Sequence, residues 1–140
     1  MKFRRILGLS SRHFSLLVYC LVLVLIIRIA LTFSSYRSIA GHIRLRHPAN
    51  VKQRPPYLIG WAVKHSSRLV PAAHCLTQAL AVQYLLARQG TQSLIRVGIA
   101  EKDDGKIEAH AWVLNDDQIV IGGSESRLSG FSSLVDLRPC

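Results

Sequence analysis

Twenty residues, Phe14 to Phe33 (FSLLVYCLVLVLIIRIALTF), contain a single charge, Arg28. The run predicts a helix about 30 Å long, which is the thickness of a bilayer core. Between Leu16 and Ile27 apolar side chains occupy every face, so the helix must be buried in lipid or in protein. Arg28 costs roughly 2.5–3.5 kcal/mol at a helix centre and less off-centre, so insertion is feasible. A packed helix is the competing reading, because the roughly 85 residues after Pro55 make a thin layer around a core of their own. Lys2, Arg4 and Arg5 resemble the start of a cleaved signal, but Arg28 interrupts the apolar run and no small-residue cleavage site follows.

The length of 140 residues fits one domain, and its charge is divided sharply. Residues 1–54 hold ten Lys/Arg and no Asp/Glu, whereas residues 55–140 hold eight of each. This gives a basic, apolar N-terminal helical arm and linker over 1–54 and a neutral domain over 55–140. The linker, Ser34 to Pro56, is basic and polar and reads as a connection ending in QRPP. Because the positive charge flanks a greasy run and no aromatic-basic platform follows, a nucleic-acid partner is excluded.

Three cysteines, Cys20, Cys75 and Cys140, make no disulfide framework and fit a reducing cytosol. His74, Cys75 and His110 lack a fourth ligand at motif spacing, so no metal is expected. No cofactor motif is present.

The segment IGWAVKHSSRLVP has loosely helical apolar spacing, and a second helix is predicted from Leu76 to Gln89, closed by Gly90. Cys75 lies just ahead of that helix, where free N–H groups and the positive dipole end favour a thiolate. Three short strands are expected to follow. SLIRVGI is the first, and IEAHAWVL the second, with Glu108, His110, Trp112 and Leu114 on one face. QIVIGG returns after an Asp116-Asp117 turn, placing Trp112 opposite Ile121 and His110 opposite Gly123. A cysteine at a helix start with a histidine on a strand is the pairing that thiol catalysis requires. The fold class expected is a small α+β, papain-like core with an apolar N-terminal helix.

The ordered elements WAV, RLVP, CLTQAL, LLARQG, IRVGI, AHAWV and VIGG, from about Trp61 to Leu134, resemble the transglutaminase-like leader peptidases of lasso-peptide biosynthesis. The resemblance implies a cysteine endopeptidase that removes the leader from a precursor peptide before a separate cyclase closes the ring. Cys75 would be the nucleophile, His110 the general base and acid, and the N–H groups near Cys75 and Leu76 the oxyanion donors. The aspartate that orients the histidine in that family falls here near Gly122 and Gly123. Asp117, Glu125 or a backbone carbonyl remain as substitutes. Residues 1–54 do not read as a leader-recognition domain, so a separate leader-binding partner is expected. Stand-alone members of the family often begin with a Leu- and Arg-rich helix like this one. The implied location is cytoplasmic, with contact at the inner membrane face through Phe14 to Phe33. Two alternatives use the same residues: acyl transfer to an amine, and a membrane-associated binding protein that does not cut.

Overall fold

The computed structural model describes residues 14–44, 53–123 and 128–138. Among the described residues four helices, α1 (Phe14–Phe33), α2 (Tyr36–Ala40), α3 (Pro56–Ser67) and α4 (Cys75–Arg88), precede four strands. The strands are β1 (Leu94–Glu101), β2 (Ile107–Asn115), β3 (Gln118–Ile121) and β4 (Ser132–Leu137), ordered β3-β2-β1-β4 and antiparallel throughout. The expected α+β class therefore holds.

Protein covers one stripe of α1. Leu16, Cys20, Val24 and Ile27, at helical spacings of four and three, are buried in the same core as Ala62 and Val63 of α3 and Leu80 and Leu86 of α4. Burying each larger apolar side chain contributes about 1.5–3 kcal/mol. Ser66 Oγ also donates to the Leu17 carbonyl (3.0 Å), tying α3 to α1.

The connection after α1 contains the short helix α2, which Ser35 caps, its Oγ accepting from Ser38 N. One expectation needs correction. A fourth strand, β4, extends the expected three. It is an exposed edge strand with no buried-exposed alternation, so it lacks the pattern by which a half-buried strand is read.

The helix predicted over 76–89 is α4, Cys75–Arg88, with Gly90 at φ 80 just beyond it. Pro56 sits at the first helical position of α3, where its missing N–H costs nothing.

In the β2–β3 hairpin, Asp116 and Asp117 occupy the turn at φ 46 and 67. The pairing begins as expected, with Asn115 against Gln118 and Leu114 against Ile119. It then shifts, so that Ile121 faces Val113 and not Trp112. Val120 is the extra residue of a β-bulge, and the bulge sets aside the expected placement of His110 opposite Gly123.

The Val120 carbonyl turns toward α3, and Gly60 receives it: a Cβ on Gly60 would collide with that oxygen. Gly60→Ala is expected to cost about 1–3 kcal/mol by overpacking, read as a lower urea midpoint with an unchanged slope.

Candidate active site

Two different elements bring Cys75 and His110 into one cleft. Cys75 is the first residue of α4, half-buried and not in a disulfide. The turn that feeds it is tight: His74 N donates to Ala72 O at 2.9 Å, and Ala72 takes φ 60. A non-glycine residue there stores about 1–3 kcal/mol of strain, which the surrounding contacts must hold. The His74 side chain makes no capping bond to α4, and no acidic residue lies in the first turn. The positive end of the helix is therefore left uncompensated beside the thiol.

His110 sits on β2 among aromatic rings. Its imidazole is 6.1 Å from the Trp112 ring, stacked at 24°, and 5.7 Å from Phe131. Trp112 has room because Gly98 lies beside it, where a Cβ would come within 2.7 Å of the indole. The expected face assignment holds: Trp112 and Leu114 pack in one cluster with Leu128, while Ala111 and Val113 face the helices.

Of the substitutes that the sequence left open, the one that contacts His110 is a backbone group. His110 Nε2 lies 2.5 Å from the Gly122 carbonyl oxygen. A carbonyl can only accept, so Nε2 carries the proton and Nδ1 of the neutral ring keeps its lone pair. Asp117 stays in the hairpin turn and lines a different hollow with Arg96 and Phe131. Glu125 lies outside the described residues.

The cleft holds about 680 Å³ and is lined by Gly60, Trp61 and Lys64 of α3, Cys75 and Gln78 of α4, His110, and residues 119–123. That size suits a short stretch of peptide. Among the described residues that line the cleft, Lys64 carries the one charged side chain. Gln78 is already engaged, its Nε2 donating to Ala73 O at 3.0 Å.

Sequence reasoning named Cys75 and His110, which line one cleft, but missed the α3 wall and named no residue for the backbone acceptor. A glycine inside a helical pattern, Gly60, was the available signal, since such a residue usually marks a close approach. Among the described residues, no three His, Cys, Asp or Glu side chains gather as a metal site.

The two described thiols differ sharply. Cys20 is fully buried on α1, and burial pushes its thiol up to about 11 from an ordinary 9.0. In a Cys140→Ser background, iodoacetamide is expected to label Cys75 in the native protein and Cys20 only after unfolding, read by peptide mass spectrometry. Because the raised value belongs to the folded state, its contribution to stability is intact below pH 9.0 and is lost as the pH rises toward 11.

Comparison with known proteins adds one match: the description of the Transglutaminase-like superfamily fits residues 21–136. No curated protein matches, and no solved structure does. The match begins inside α1, ends inside β4 and takes in the whole cleft, so the chain belongs to the transglutaminase-like superfamily.

Proposed function

We propose that the protein is a cysteine endopeptidase that removes the leader from a lasso-type precursor peptide. The superfamily includes cysteine peptidases, and its chemistry is thiol peptidase or acyl-transfer chemistry. The observation that carries the reading is the shared cleft: Cys75 at a helix N-terminus, with His110 held by the Gly122 carbonyl.

In this mechanism Cys75 Sγ attacks the scissile carbonyl and its proton passes to Nδ1 of His110. Nε2–H remains on the Gly122 carbonyl, which fixes the ring while the imidazolium forms. The oxyanion is met by the N–H groups of the first turn of α4, at Cys75 and Leu76. His110 returns the proton to the leaving amine, and the core peptide departs. A water molecule, deprotonated by His110, then cleaves the thioester, releasing the leader as a carboxylate and regenerating Cys75. The leader is presented by a separate recognition protein, and a cyclase takes the freed core, both in the cytoplasm.

The test is mass spectrometry of a lasso precursor incubated with the protein and a leader-binding partner. Leader and core fragments support the reading. A leader joined to an added amine points to acyl transfer instead, and an intact precursor overturns both.

A further inference from the structure

The outer face of α1 has no part in the cleft and no cover from the other described residues. Phe14, Val18, Val22, Leu25, Ile29 and Phe33 follow one another at spacings of four and three. All are exposed, Phe14 to 65% and Phe33 to 83%. The ridge runs about 30 Å, and folded monomers rarely leave so long an apolar surface to water. Beside it a groove of about 470 Å³ lies between α1 and α2, lined by Val22, Ile26, Ile39 and Ile43 among others.

Charge selects the occupant. Every one of the ten ionised side chains in residues 1–54 is Lys or Arg. Lys2, Arg4, Arg5 and Arg12 precede α1 in sequence, and exposed Arg37 and Arg44 follow it. A second copy of the chain would bring ten positive charges against ten more, whereas a sheet of anionic headgroups complements them. Geometry selects the orientation. Leu16, Cys20, Val24 and Ile27 are locked into the domain core, so α1 cannot present all its faces to lipid.

We infer that α1 lies flat on an anionic lipid surface, its outer ridge entering the interface and exposed Arg37 and Arg44 meeting headgroups. Apolar burial and basic charge are the two signals that stable interfacial attachment needs. The proposal is independent of what the cleft cuts.

The full chain is tested by co-sedimentation with phosphatidylcholine vesicles, with and without phosphatidylglycerol, over a range of salt. Binding is expected to be at least about tenfold tighter with phosphatidylglycerol and to weaken as salt rises. A Val18→Ser, Leu25→Ser, Ile29→Ser variant alters exposed positions only and is checked for folding by circular dichroism. It is expected to bind at least about tenfold more weakly than the parent. Failure to bind either vesicle, or equal binding to both, overturns the proposal. So does a dimer in sedimentation that the triple variant abolishes, which assigns the ridge to a second copy. Resistance of the bound protein to alkaline carbonate extraction overturns the flat orientation.

Discussion

Cys75→Ala is expected to abolish cleavage of the precursor, and His110→Ala to slow it about 10²–10⁴-fold, the range for loss of a general base. The two losses differ because alanine at position 75 leaves no atom to form the thioester, while water can still act slowly as a base at position 110. Both side chains lie at the cleft and outside the main buried core, so neither variant should change the thermal midpoint by much. Their effects should also fail to add: once the thiol is gone, removing the imidazole costs little more, because the pair acts as a unit. The measurement is the rate of appearance of the core peptide by mass spectrometry, with the double variant included. Full cleavage by either purified single variant would sink the mechanism.

Among Gly41, Gly60, Gly98, Gly105 and Gly122, the last is expected to be the most damaging to replace with alanine. Gly122 takes φ +114, which an L side chain rarely adopts, and a Cβ there would collide with Trp112 Cβ and lie 2.8 Å from its Cα. Strain of about 1–3 kcal/mol and overpacking of about 1–3 kcal/mol combine at one residue. Against a total stability of about 5–15 kcal/mol, a combined loss of about 2–6 kcal/mol removes a large share of what holds the fold. Gly105→Ala is the control. It also has positive φ, at +80, but nothing lies within 4 Å of the added carbon. Only the conformational cost of roughly 1–2 kcal/mol remains. Urea midpoints of the two variants separate collision from conformation, and equal shifts would refute the contact with Trp112. Activity measured on the folded fraction should fall for Gly122→Ala alone, because the carbonyl that holds His110 moves with its residue.

The parts of this fold that could be read from sequence are those where one side chain carries the signal. Apolar spacing and Gly90 gave α4, and the Asp116-Asp117 pair gave the hairpin turn. What escaped depends on the backbone. Nothing in QIVIGG marks Val120 as a bulge, since its extra length is accommodated by Gly60, sixty residues earlier and on another element. The α1 run was ambiguous for a different reason. A helix apolar on every face reads alike whether protein covers one side or none, and only the packing of Leu16, Cys20, Val24 and Ile27 separates its two sides.

The partner of His110 has a consequence for how this site can change. An acidic side chain that orients a histidine can be lost in a single codon. An oxygen of the main chain cannot, because every residue type supplies one. What can be lost at Gly122 is emptiness: any added carbon pushes the strand away from Trp112 and carries the acceptor with it. The vulnerability of the position is thus one of volume, and an aspartate introduced there would bring its own Cβ into the same collision before its carboxylate reached the ring.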